Sequence, residues 1–192
     1  MESMFEYANK FNQPLDSWDT CSVEKMSEMF RNAISFNQPL NSWDISKVED
    51  MSFMFSGAES FNQSINSWKV GRVKNMTWMF KGAENFNQSV DSWDTSEVEN
   101  MDGVFEDAIK FDQPLNSWDT SKVNTMENMF AGAENFNQPL NSWNTDKLIN
   151  TRHMFKCAGS MLRTFPNLKE TPQTINWEEN FNRAKPTKGA RH

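Results

Sequence analysis

Read as a string of apolar and polar positions, the chain repeats itself every 25 residues. Tryptophan stands at Trp18, Trp43, Trp68, Trp93, Trp118 and Trp143, and phenylalanine keeps the same step from Phe11 through Phe36, Phe61, Phe86 and Phe111 to Phe136. A second phenylalanine series begins at Phe5 and ends at Phe155, and Gln38 and Ser42 recur in phase. A fixed period of this length marks units that bury their apolar faces only by stacking on neighbours. It is too short for a propeller blade, which needs about 40 residues.

Within one unit two elements are expected. In "SKVEDMSFMFSGAE" the apolar residues Val48, Met51, Met54, Phe55 and Ala58 follow a helical period. Ser46 with Glu49 has the spacing of a capping box, and Gly57, Gly82 and Gly132 fall where such a helix ends. In "FNQPLNSWD" Pro39 interrupts helical hydrogen bonding, so a very short strand is expected, with a short helix or irregular turn as the alternative. In that strand Gln38 and Leu40 share the inner face, and Asn37 and Asn41 the outer one.

Strands pack about 4.8 Å apart and helices about 8–10 Å apart, so stacking both in register bends the array, strands on the concave side. The predicted fold is therefore α/β: a right-handed solenoid with one short strand and one helix per repeat, an all-α short-repeat solenoid being the alternative. The expected organisation is a repeat array over 1–155, a degenerate repeat with a C-terminal capping helix over 156–185, and a disordered tail over 186–192. Trp177, Phe181 and Ala184 outline that helix, with Asn176 and Glu179 as its cap. Met1 falls on the phase of Met26, so the chain opens part-way through a unit, either as a piece of a longer array or because the start codon is a repeat methionine.

Charge narrows the function. The net charge is −7, and it is uneven: residues 1–155 carry −11 and residues 156–192 carry +4. An acidic array is a poor phosphate partner, so nucleic-acid binding is not expected. No stretch approaches a membrane span and no signal peptide is visible.

Candidate chemistry is sparse. Cys21 and Cys157 lie more than five coils apart, too far for a disulfide, and read as free small residues. His153 and His192 have no metal-ligand spacing around them. Asp19, Asp44, Asp94 and Asp119 follow tryptophan, with Lys69 and Asn144 in the other two copies. A calcium ladder there would stack like charges, and Lys69 interrupts it; a turn aspartate accepting backbone N–H groups is preferred. The tryptophan row reads as core rather than a sugar-stacking platform, and the methionines as core filler. No catalytic residue, metal or cofactor is expected: an opposed carboxylate pair about 5–10 Å apart is what a carbohydrate-active enzyme needs, and a uniform ladder marks none.

Two polar rows remain. One carries Asn37, Asn62, Asn87 and Asp112, the other Asn41, Asn66, Asp91 and Asn116. On the expected concave face they are either a stacked amide ladder or a regular surface for a partner, and regularity suits a repetitive ligand such as a glycan.

The string "MFSGAESFNQSINSWKVGRVKNMTWMF", with "WDTSEVENMDGVF" and "WDTSKVNTMENMF", resembles the bacterial surface-protein repeat of about 25 residues grouped with BspA-like leucine-rich repeats. The resemblance covers 1–155. It implies a leucine-rich-repeat-like solenoid, a cell-surface or secreted location, and a part in attachment or partner binding. The expected function is a non-catalytic module for protein or glycan binding through the concave face, with a structural spacer or, last, a carbohydrate-active enzyme as alternatives.

Overall fold

The structure, a computed structural model, describes residues 1–169. The expected capping helix around Trp177–Ala184 and the tail lie outside the described residues.

The α/β expectation is wrong. Among the described residues the only helices are α1, Gly159–Thr164, and a four-residue 3-10 turn at Pro166–Lys169, both beyond the repeats. Strand pairing is confined to isolated parallel bridges, one per repeat, running Lys25–Asp50–Asn75–Asn100–Thr125–Asn150. There is neither a strand nor a helix per repeat, and the all-α alternative fails with it.

The segment expected to be helical is a train of tight turns. Met29 N–H donates to Met26 O, Arg31 N–H to Glu28 O and Ala33 N–H to Phe30 O, each closing a four-residue turn. The alternate N–H groups leave the coil altogether. Met26, Glu28, Phe30 and Asn32 donate to Asp50, Ser52, Met54 and Ser56 of the next unit at 3.0, 2.9, 2.9 and 2.6 Å. Two left-handed residues per coil make this possible. One row is Glu28, Phe53, Trp78, Gly103 and Asn128, and the other is Asn32, Gly57, Gly82, Asp107 and Gly132, with φ between 53° and 70°. A left-handed residue turns its neighbours' N–H groups out of helical register. Each such non-glycine residue is strained by about 1 kcal/mol, which the inter-coil ladder offsets. Gly103 has a second reason to be glycine, since a Cβ there would collide with the Trp78 indole.

The "FNQPL" segment is not a strand either, even in the two copies where Ser64 and Ser89 stand in place of proline. Pro39 has no N–H to place in a ladder. The neighbouring coil is joined instead by a side chain: Asn12 Oδ1 accepts the Asn37 N–H at 2.9 Å. The expected inward Gln38 is half-exposed, and its Nε2 donates to the same Asn12 oxygen at 3.0 Å. The expected capping box is absent too. Ser46 N–H is bonded to Asp44 Oδ1, and Glu49 pairs with Arg72 and Lys74 of the next coil.

Coils register through their aromatic files. Phe55 stacks on Phe80 at 5.6 Å and Phe80 on Phe105 at 5.7 Å, with rings within 5° of parallel. Phe61 and Phe86 form a second file at 5.9 Å, and Trp68 and Trp93 a third at 6.4 Å. Trp43 to Trp143 are buried, and the indole N–H groups of Trp43, Trp68, Trp93, Trp118 and Trp143 donate to carbonyls of the preceding coil at 2.9–3.1 Å. The indoles are thus core and cross-link, and offer no stacking platform.

Candidate binding surface

The two polar rows occupy different situations. In the first, the carbonyl oxygen is committed twice over. Asn37 Oδ1 accepts Asn62 N–H at 2.9 Å and Gln63 Nε2 at 3.1 Å; Asn62 and Asn87 repeat the arrangement one coil on. Asp112 Oδ1 does the same for Asn137 and Gln138, both at 2.9 Å. This row is an amide ladder. What it leaves for a partner is the Nδ2 group of the half-buried Asn37, Asn62 and Asn87.

The second row sits at the exposed bend before tryptophan. Asn66 Oδ1 accepts Ser92 N–H at 3.2 Å, and Asp91 Oδ1 accepts Ser117 N–H at 3.0 Å. Asn41 and Asn116 are exposed on the same edge. The structure therefore keeps each row in register along the stack, but without the strand that was expected to form a concave face.

The aspartates after tryptophan are turn formers. Asp19, Asp44, Asp94 and Asp119 accept the backbone N–H two residues on at 2.9–3.1 Å, and Asn144 does so at 2.8 Å. Hydrogen bonds from Cys21 and from Ser46 hold the carboxyls of Asp19 and Asp44 below the ordinary range, and those from Ser121 do so for Asp119. The Asp19 carboxylate in turn pushes the Cys21 thiol up, away from the reactive thiolate. Both cysteines are free and exposed. His153 is half-buried at a left-handed position, and His192 lies outside the described residues. Among the described residues no cluster of histidine, cysteine and acidic side chains could hold a metal, and no helix is long and apolar enough to cross a membrane.

One coil breaks the regularity. In "NSWKVGRVKN" Lys69 stands where four copies have aspartate, Val70 where four have threonine, and Gly71 where three have serine. Thr20, Thr95 and Thr120 donate their hydroxyls to the carbonyl of the next coil at 2.7–3.0 Å, and Ile45 and Val70 have none to donate. Lys69 has no oxygen to cap the turn, and among the described residues nothing replaces it on the Gly71 N–H. The missing side chains open a recess of about 450 Å³ bordered by Asn66, Ser67, Lys69, Gly71, Ser92 and Asp94. A second recess of about 330 Å³, with Arg72, Lys74, Glu49 and Glu97, meets it at Gly71. Sequence reasoning saw Lys69 only as an interruption; the signal for a site was the coincidence of three departures in three consecutive residues.

Comparison with known proteins agrees with the repeat. No curated protein and no solved structure matches the chain. One family model matches twice, over residues 1–93 and 76–190, and covers nearly the whole sequence. The chain belongs to the repeat family described as Mycoplasma protein of unknown function, DUF285.

Proposed function

We propose that the chain is a non-catalytic recognition module that binds a repetitive ligand, a glycan chain, along its exposed amide and carboxylate rows. The observation that carries this reading is the register of those rows. Asn41, Asn66, Asp91 and Asn116 present one polar group per coil, in register beside the tryptophan file, whose neighbouring rings stand 6.4 Å apart at Trp68 and Trp93. Many weak contacts repeated at one interval suit a polymer whose own groups recur. The aromatic files are buried, so recognition rests on hydrogen bonds rather than on ring stacking. The resemblance to BspA-like surface repeats supports an attachment role.

A glycan array and a pull-down from cell-surface protein extract test the reading together. Binding to at least one polysaccharide is expected. Changing Asn41, Asn66 and Asp91 to Ala together is expected to abolish it in protein that circular dichroism shows to be folded; Asn66 and Asp91 each give up the N–H of a serine in the next coil, at a cost of about 1 kcal/mol apiece. Full binding by the triple variant would place the site elsewhere. A protein partner with no glycan bound would replace the glycan, and silence in both assays from folded protein would favour a spacer.

A further inference from the structure

We infer that the recess at Lys69 and Gly71 takes a carboxylate carried on a hydroxylated ring, that is, an acidic sugar residue of the glycan; the inference rests on the recognition reading above and specifies its ligand. The neighbouring coils show what is missing. At Cys21, Ser46, Ser96, Ser121 and Asp146 the backbone N–H meets a side-chain oxygen two residues earlier, at 2.8–3.1 Å. At Gly71 that oxygen is gone: a lysine holds the capping position, and its charge also reaches Asp44, whose carboxyl it helps to hold down. An N–H without its acceptor beside a lysine is an anion-binding arrangement, and the anion that fits is the one the repeat supplies elsewhere, a carboxylate. Gly71 N–H and Lys69 Nζ are its donors, and Arg72 adds charge from the adjoining recess, although Glu49 holds it at 3.2 Å.

The opposite wall selects for hydroxyls. A Cβ on Gly71 would lie 2.9 Å from Asp94 Oδ2, so that carboxylate oxygen overhangs the recess floor. Its partner oxygen Oδ1 is occupied by the Ser96 N–H and hydroxyl at 3.1 and 2.6 Å. Oδ2 repels a bare anion close to it but accepts a hydroxyl, as do the carbonyls of Lys69 and Asp94, whose threonine donors are replaced by Ile45 and Val70. Donors on one side and acceptors on the other match a ring with one carboxylate and neighbouring hydroxyls better than phosphate, sulfate or a simple organic acid.

The test is an amide NMR titration of the whole chain with three probes of equal length: an alginate oligosaccharide, a neutral gluco-oligosaccharide and a polyglutamate peptide. Alginate is expected to shift the Gly71 amide saturably, and to bind at least about tenfold more tightly than either other probe, a charge-assisted hydrogen bond being worth about that much. Lys69→Asp restores the repeat's own cap. It should fold with a melting temperature no lower than the parent and lose alginate binding by at least about tenfold. Alginate affinity unchanged in Lys69→Asp overturns the inference, as does equal or tighter binding of polyglutamate. Neutral sugar binding along the Asn41 row, with the Gly71 amide unmoved, overturns it too while leaving the recognition reading intact. No glycan binding at all removes both.

Discussion

Trp93 offers the sharpest energetic test of the stacked coils. Its side chain is 2% exposed. It lies between Trp68 and Trp118 at 6.4 and 6.3 Å, against Phe80 at 6.4 Å, and donates to Ile65 O at 3.1 Å. Trp93→Ala opens a cavity shared by three coils, and burial losses of this kind cost about 3–5 kcal/mol. The bond to Ile65 O adds about 1 kcal/mol because it leaves a buried carbonyl without that donor, so about 4–6 kcal/mol is expected in all. Whole domains are stable by about 5–15 kcal/mol, so the variant should be close to unfolding. Urea titration followed by tryptophan fluorescence measures it. Trp18 is the internal control: it is only half-buried, and Trp18→Ala should cost about 1–2 kcal/mol on the area scale. A Trp93→Ala loss below about 2 kcal/mol, or one no larger than that of Trp18→Ala, would refute the claim that the indole file holds the coils together.

Asn62→Ala removes the acceptor of both Asn87 N–H and Gln88 Nε2, and should cost about 1–3 kcal/mol in the same titration. Asn62→Asp should be nearly neutral, because Asp112 already performs this role in the same row. Stability should also fall in acid. The carboxyls of Asp19, Asp44 and Asp119 are held below the ordinary range, so their contribution is complete above about pH 4 and disappears as the pH falls through their folded values. Asp107, pushed up by desolvation and by Glu106, works in the opposite direction. The melting temperature should fall on acidification below about pH 4, and an Asp44→Asn, Asp119→Asn double variant should show a shallower fall, since Asn144 shows that the amide keeps the cap.

The stacking phase was legible because Trp43, Phe55 and Phe61 and their equivalents beyond the first coil are buried, and a chain this polar can bury them only in one continuous core. The local structure was not. Val48, Met51 and Met54 lie three residues apart, a step that a helix and a train of four-residue turns both satisfy, and apolar spacing alone does not separate the two. The row Asn32, Gly57, Gly82, Asp107 and Gly132 did carry the distinction. Its members are the residues that tolerate left-handed backbone, but one such residue per unit also reads as a helix C-cap. The second left-handed row is marked only by Gly103 and Asn128; Glu28, Phe53 and Trp78 give no compositional sign of it. The polar rows were found in sequence, but their division of labour was not. That the Asn37 oxygen serves a backbone N–H of the next coil is a relation between coils and not within one, and it holds equally where Ser64 and Ser89 replace proline. The recess at Gly71 stood in the sequence as three consecutive departures, and only the turn geometry of the other coils shows that a capping oxygen is what they remove.

The central claim is that alternate N–H groups of each turn train bond to the next coil and not back along a helix. Scalar couplings across hydrogen bonds, measured by NMR on isotopically labelled protein, test it directly. Couplings are expected from the Phe55 amide to the Met79 carbonyl and from the Phe80 amide to the Val104 carbonyl, the pairs that stand 2.9 Å apart. Couplings from the Phe55 amide to the Met51 carbonyl, with helical chemical shifts over residues 48–58, would contradict it.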